Sequence, residues 1–325
     1  MDRPSHLIRV GLLGASTVAT YAMIGPARRN GAMHVTAVAA RDVSRAEAFA
    51  RRHGIASIAR SYQALIDRDD IDLVYIGLPP ALHVHWALQS LSAGKAVLCE
   101  KPLAIDAAEA RTAVHHAAAV GCPLIEAFHY RFHATMARAL DVVATELGAL
   151  RSMQAVVTGP GPADASDVRW QAGLGGGALL DLGCYAVHAL RTLAGGEPLV
   201  QRARHTLRGG VDVTTDAWLS FDRCGEASIR CSFEAARFTN SLHIVGDAGS
   251  LDIEGFMLPQ EGGRFRLMRG GQTHEEALPT GSTYDAQFVH VAAVLRGGLV
   301  PLTGGLDAIG NAQALEAIRL AARRS

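Results

Sequence analysis

Apolar and polar positions follow two different regimes along this chain. From residue 7 to about 127, short and nearly continuous apolar runs alternate with stretches in which apolar residues recur at helical spacing. Strands are predicted at 7–13, 34–40, 72–76, 95–99 and 123–127. Helices are predicted at about 17–30, from Ser44 to 53, from Ser61 to 67, at 81–92 and from Asp106 to 119, the named polar residues reading as N-caps. Strands apolar on both faces and separated by helices predict a doubly wound α/β fold. Its parallel sheet is covered on both sides, with the ligand crevice at the carboxyl ends of the strands. Past 127 the regime changes. A helix at 131–147 and a strand at 150–158 lead into Gly159-Pro160-Gly161-Pro162, then a helix at 177–194. Strands at 199–207, 213–221, 226–233, 239–246, 250–253 and 264–268 follow with tight turns such as 222–225 and 246–249. That spacing predicts a mainly antiparallel sheet. Helices at 283–297 and 306–323 close an α+β half. The expected domains are 1–127 and 128–325, without internal repeats or long linkers.

Composition narrows the function. A chain of 325 residues suits two domains at about 150 residues each. Lys+Arg and Asp+Glu are both 31, so the net charge is zero, which argues against a nucleic-acid or anionic-membrane binder. The five cysteines are odd in number and form no CxxC, so free thiols in a reducing cytoplasm are expected, not a disulfide framework or zinc ribbon. His129 and His133 are four apart without an HExxH or acidic partner set, and no metal site is expected. No GxSxG elbow occurs. The uncharged run Val10 to Ala27 has the length of a membrane span, but Gly11, Gly14, Ser16, Thr17, Thr20, Gly25 and Pro26 dilute it, and no acid-free basic leader precedes it. It reads as a buried strand, a turn and a helix.

That turn carries the first candidate chemistry. In Gly14-Ala15-Ser16-Thr17-Val18-Ala19 the dinucleotide fingerprint G-x-G-x-x-G/A falls on Gly14, Ser16 and Ala19. Gly14 suits the tight turn and Ala19 close helix–strand packing. Ser16 departs from the pattern: its Cβ narrows the approach, while its hydroxyl offers a phosphate a hydrogen bond. The helix beginning at Thr17 and Val18 would present backbone N–H groups to a pyrophosphate. The second strand ends Ala39-Ala40-Arg41-Asp42. Arg41 suits a 2′-phosphate, favouring NADP over NAD. Two roles fit Asp42: holding the ribose, or capping the next helix.

Five motifs resemble the Gfo/Idh/MocA oxidoreductases: the GASTVA unit with Val38–Asp42; Leu78-Pro79-Pro80-Ala81-Leu82-His83; Ala93 to Pro102, containing Glu100-Lys101-Pro102; Glu126 to His133; and Gly175-Gly176-Gly177-Ala178-Leu179-Leu180-Asp181-Leu182-Gly183-Cys184-Tyr185. The nearest likeness is to the branch with glucose–fructose oxidoreductase, xylose dehydrogenases and dimeric dihydrodiol dehydrogenase. The resemblance implies an N-terminal Rossmann domain, a C-terminal domain whose open-faced sheet mediates oligomerisation as a homodimer or homotetramer, and a site between the domains. It also implies hydride transfer with a nicotinamide cofactor, a small carbohydrate or diol as substrate, and a cis Lys101–Pro102 peptide.

By the same resemblance Lys101 is the catalytic lysine, and its position after a strand suits proton exchange or hydroxyl polarisation beside a nicotinamide. Asp181, Tyr185 and His188 stand at i, i+4 and i+7, one helical face. Asp181 is expected to bind substrate hydroxyls. Tyr185, Lys101 and His188 are alternative proton donors, because many family members carry His where this chain has Tyr185 and Asp where it has His188. Either a core role or a catalytic one fits His188. Leu78, Pro79 and His83 are expected on the nicotinamide side, with fixing the turn as an equal role for His83. Glu100 is expected at the cofactor or as a structural carboxylate. Tyr130, Arg169 and Trp170 are expected to line the substrate, against structural roles for the same residues. Gly11, Gly14 and Gly175–Gly177 are expected where backbone meets ligand. Two rival functions remain: an NAD-dependent glycosidase of the same fold that oxidises transiently, and a noncatalytic NADP-responsive regulator.

Overall fold

The computed structural model describes residues 7–324; the residues preceding Leu7, on which the expectation about a basic leader rests, lie outside them. The chain divides into two units. One comprises residues up to His129 with Tyr284–Ile309, the other Tyr130–Thr283 with the residues from Gly310.

In the first unit β1 (Ile8–Leu13) is followed by a helical run: α1 (Thr17–Ala19), a π turn over Thr20–Ile24, and α2 (Gly25–Asn30). Next come β2 (Met33–Ala39), α3 (Val43–His53), β3 (Ser57–Ile58), α4 (Tyr62–Ile66) and β4 (Leu73–Ile76). A short 3-10 turn leads to α5 (His83–Ser92), β5 (Ala96–Cys99), α6 (Ala107–Val120) and β6 (Leu124–Glu126). All six strands pair in parallel in the order β3-β2-β1-β4-β5-β6. Leu13 stands opposite Ala39 and Ile76, Ile76 opposite Cys99, and Cys99 opposite Glu126. This register ends β1, β2, β4, β5 and β6 on one edge, so Gly14, Arg41, Leu78, Lys101 and Phe128 follow from the same side of the sheet. Where the uncharged run suggested a span, the chain turns from strand to helix. Among the described residues no helix is long and apolar enough to cross a membrane.

The second unit holds α7 (Ala134–Thr145), β7 (Leu150–Pro160), a π turn over Leu179–Gly183 and α8 (Cys184–Ala194). Its other strands are β8 (Leu199–Arg208), β9 (Val211–Phe221), β10 (Cys224–Ser232), β11 (Glu234–Gly246), β12 (Gly249–Glu254), β13 (Arg264–Arg269) and β14 (Gln272–Glu276). The eight-stranded sheet runs β14-β13-β12-β11-β7-β10-β9-β8, antiparallel throughout except for β10 beside β7. Met153, Ala155, Val157, Ala217, Leu219, Ile229, Cys231, Leu242 and Ile244 are buried, while Gln154, Arg230 and His243 between them are exposed. Period-2 alternation of this kind marks a sheet with one buried and one open face.

Three features differ from expectation. Asp42, not Ser44, caps α3: its carboxylate accepts from the Ser44 N–H at 2.9 Å and hydroxyl at 2.8 Å. Strand β14 has almost no apolar residues to announce it and lies exposed at the sheet edge. The second domain is not the whole remainder after 127. The last helices are α9 (Thr283–Leu295) and α10 (Leu306–Ala322), and Phe288, Val291, Ala292 and Val294 of α9 are buried in one core cluster with Val10, Leu12, Tyr75, Leu98 and Ile125. Phe288, Val291 and Val294 each contribute about 1.5–3 kcal/mol by leaving water, which is why α9 returns to the first unit.

Candidate active site

The carboxyl edge of the parallel sheet is built around missing side chains. Gly14 adopts φ +103°, a region that favours glycine, and a Cβ there would lie 2.6 Å from the Gly77 carbonyl oxygen. A Cβ on Gly77 would in turn stand 2.7 Å from the Ser16 hydroxyl. Ser16 caps the first helix, its oxygen accepting from the Ala19 N–H at 3.4 Å; Thr17 is exposed and Val18 half-buried. Gly11 has a different use from the one expected. A Cβ there would meet Leu65 at 2.4 Å, so it serves packing between β1 and α4.

At the end of β2 the Asp42 carboxylate is taken up by its cap, while Arg41 and Arg45 are exposed. Burial raises the Tyr62 phenol above its ordinary range; a hydrogen bond with the Arg41 backbone and the charges of Arg41 and Arg45 oppose that rise. Arg45, in the first turn of α3, thus belongs to the same positive corner. The sequence reading missed it because it sought only the strand end.

Lys101 follows β5, half-buried, with a cis Lys101–Pro102 peptide. Its loop is tied from two sides. The buried Glu126 carboxylate accepts from the Leu103 N–H at 2.8 Å. His83, also buried, bridges the carbonyls of Pro102 at 2.8 Å and Leu78 at 2.7 Å. A neutral imidazole donates to only one of them. Glu100 accepts from the wholly buried Tyr75 hydroxyl at 2.8 Å. His129 is buried and stacks on Tyr284 with ring centroids 4.1 Å apart.

These histidines give a pH-dependent stability. Burial, aided by the Lys101 charge, lowers His83 from 6.5 to about 4, although the two carbonyls favour its charged form. The same two causes lower His129 to about 3. Between pH 6.5 and about 4 the unfolded chain therefore binds protons that the folded chain does not. Stability is full above 6.5 and declines as pH falls, by about 1 kcal/mol per pH unit per histidine. Urea unfolding should show a clearly lower midpoint at pH 5 than at pH 7.5; an equal or higher midpoint at pH 5 would contradict these assignments.

The second unit carries Asp181 in the π turn and Tyr185 in the first turn of α8. Asp181 Oδ2 accepts from Arg169 Nε at 2.8 Å, and Arg169 also holds Asp167 at 3.2 Å. The Asp181 charge raises the already high Arg169 pKa against burial. The π turn interrupts the regular helical face read from i, i+4 and i+7. Asp181 is part-exposed, while Tyr185 and His188 are buried at 5% and 1%. His188 Nδ1 lies 2.5 Å from the hydroxyl of Tyr130, itself fully buried, and the Tyr130 ring lies 6.0 Å from that of Tyr185. Trp170 donates to the Pro162 carbonyl at 3.0 Å and meets Phe233 edge-on at 5.4 Å, folding the Gly/Pro loop back on itself. The space that glycine leaves at 176 is filled by the Arg169 backbone, 2.6 Å from a built Cβ, and that at 177 by Asp212 at 2.2 Å. That part of the glycine run serves internal packing. Asp212, on a strand well downstream, was invisible to motif reading.

Comparison with known proteins follows the same division. Residues 8–128 match a family model described as "Oxidoreductase family, NAD-binding Rossmann fold", and 134–252 match the "GFO/IDH/MocA C-terminal domain". The chain is 37% identical to D-xylose 1-dehydrogenase (NADP(+)) 2 of Haloferax volcanii over 69% of each chain. It is 34% identical to trans-1,2-dihydrobenzene-1,2-diol dehydrogenase of Sus scrofa over 82% of this chain and 81% of that one. The crystal structure of KijD10, a 3-ketoreductase from Actinomadura kijaniata in complex with NADP and TDP-benzene, superposes with a TM-score of 0.90 at 30% identity, covering 97% of this chain and 98% of that one. The two domain matches, arriving in the order that the motifs predict, make this chain a member of the Gfo/Idh/MocA family of NAD(P)-dependent oxidoreductases.

Proposed function

We propose that this protein is an NADP(H)-dependent oxidoreductase that moves hydride between the nicotinamide and a secondary alcohol or ketone of a sugar, polyol or cyclic diol. The observation that carries the reading is one sheet edge bearing both the glycine-lined turn at Gly14 and Gly77 and the tied loop of Lys101. The residues fit the cofactor. A side chain at Gly14 would close the main-chain approach that a pyrophosphate needs, and Ser16, Thr17 and Val18 open the helix beside it. Leu78, Pro79, His83 and Glu100 are assigned to the nicotinamide end. The preference for NADP rests on Arg41, exposed beside Arg45, with the Asp42 carboxylate already committed to its cap.

When bound, the nicotinamide supplies the hydride acceptor. Tyr185 Oη, held as a phenolate by the positive charge of Lys101 Nζ, takes the substrate hydroxyl proton and becomes the neutral phenol, and Asp181 orients the substrate hydroxyls. Arg169 and Trp170 shape the substrate side, and Tyr130 supports Tyr185. The named activities of the xylose dehydrogenase, dihydrodiol dehydrogenase and 3-ketoreductase relatives support this substrate class. The open sheet face, where Arg202 lies 3.8 Å over the Trp218 ring, is assigned to a homodimer or homotetramer contact. Cysteines that form no disulfide among the described residues suit a cytoplasmic setting.

The test is cofactor reduction on a panel of aldoses, polyols and cyclic diols with NADP⁺ and NAD⁺ in parallel. At least one carbinol should reduce NADP⁺ with the higher kcat/KM. Arg41→Ala should raise KM for NADP⁺ by about tenfold or more while leaving that for NAD⁺ nearly unchanged, as expected when one charged contact is lost. Glycoside cleavage without net cofactor reduction, or an Arg41→Ala variant with unaltered preference, would contradict the reading.

A further inference from the structure

The segment bearing Asp181 and Tyr185 begins as a π turn, Leu179–Gly183, before regular helix takes over. Such turns are uncommon and occur mostly as single-turn insertions, frequently at functional sites. Here external groups hold it at two points. Gly183 lets the turn sit against β10, since a Cβ there would lie 3.0 Å from Cys231 Sγ. At its start, Asp212 Oδ2 accepts from the Leu179 N–H at 2.7 Å and from the Thr215 hydroxyl at 2.8 Å. Thr215 is wholly buried, and its oxygen stands 2.7 Å from His205 Nδ1 on the neighbouring strand. The other carboxylate oxygen occupies the space left by Gly177, which has φ +113°. A chain of hydrogen bonds from β8 through β9 thus ends on the first N–H of the turn.

We propose that Asp212 is a positioning residue for the reaction: by holding Leu179 N–H it fixes where Asp181 and Tyr185 stand. The inference rests on the assignment of those two residues to catalysis. Asp212 is 33 residues from Leu179 in sequence and shares no motif with it; strand β9 brings it there. A helix cap whose loss merely loosened the fold would change stability alone. A cap that sets reacting groups changes turnover more than binding, because small displacements of such groups cost up to about a hundredfold in rate.

The experiment compares Asp212→Ala, Asp212→Asn and Gly177→Ala with the wild type in three readouts: steady-state kinetics on the best panel substrate, NADPH affinity by fluorescence, and amide hydrogen exchange across residues 178–185. Asp212→Ala should lower kcat by about tenfold to a hundredfold, leave the NADPH dissociation constant within about twofold, and speed exchange of the 178–185 amides. Asp212→Asn keeps an acceptor for Leu179 N–H and should recover most of both losses. If Asp212→Ala does not fold, Gly177→Ala, which pushes on the same carboxylate, should show the same split. Wild-type kcat in the variant that folds, unchanged exchange, or a parallel loss of turnover and NADPH affinity would overturn the proposal. Wild-type turnover in Asp181→Asn and Tyr185→Phe would instead sink the catalytic assignment, and the exchange data would still decide whether Asp212 holds the turn.

Discussion

Lys101→Met is expected to abolish most of the turnover, lowering kcat by about a thousandfold while NADPH still binds within a few-fold of wild type. Methionine keeps much of the length and the apolar stem but removes the ammonium. The loop should persist, because it is tied by Glu126 to Leu103 N–H and by His83 to the Pro102 carbonyl. What disappears is the positive charge that lowers the pKa of the proton acceptor, and acid–base contributions of this kind are worth about 10²–10⁴ in rate. A second readout is independent of substrate. The Lys101 charge helps to depress His83 and His129, so both should titrate at higher pH in the variant. Stopped-flow kinetics and histidine NMR titration check the two halves. Retained turnover would remove Lys101 from the chemistry, and unmoved histidines would contradict its reach toward them.

Tyr185→Phe and Asp181→Asn are expected to follow closely. Loss of the phenolic hydroxyl should lower kcat by about a hundredfold to ten-thousandfold with little change in thermal midpoint, since the buried ring stays in place. Asp181→Asn should raise KM for the carbinol substrate and lower kcat together, because the carboxylate orients hydroxyls both before and during the reaction. Its partner Arg169 is 44% exposed at the side chain, so losing that ion pair should cost stability no more than about 1 kcal/mol. Kinetics beside calorimetry separate these effects. A large drop in midpoint with parallel loss of cofactor affinity would mean that these residues support the fold and do not perform the reaction.

Much of this molecule was legible in its sequence, for definite reasons. The parallel strands are short apolar runs such as Leu73–Ile76, buried on both faces, so period and hydrophobicity agreed. The caps at Ser61 and Asp106 are local devices, readable from neighbouring residues. Asp42 and Ser44 show the limit: both are good caps two residues apart, and backbone geometry chose the first. The π turn was hidden because i, i+4 and i+7 spacing describes a regular helix and cannot register an inserted residue. Asp212 and Thr215 act through contacts distant in sequence. Their residue types carry no motif, and only the sheet register makes them neighbours of the candidate site. The return of α9 to the first unit was hidden for the same reason, since an apolar helix face does not name the core it will join.

The most direct test follows one atom. Wild-type protein is incubated with NADP⁺ and the best panel substrate carrying deuterium at the carbinol carbon, and the nucleotide is analysed by mass spectrometry. The account predicts NADPH bearing one deuterium for each carbonyl product formed, with the transfer lost in Lys101→Met and Tyr185→Phe. Unlabelled reduced cofactor, or a product formed with the nucleotide unreduced, would contradict it.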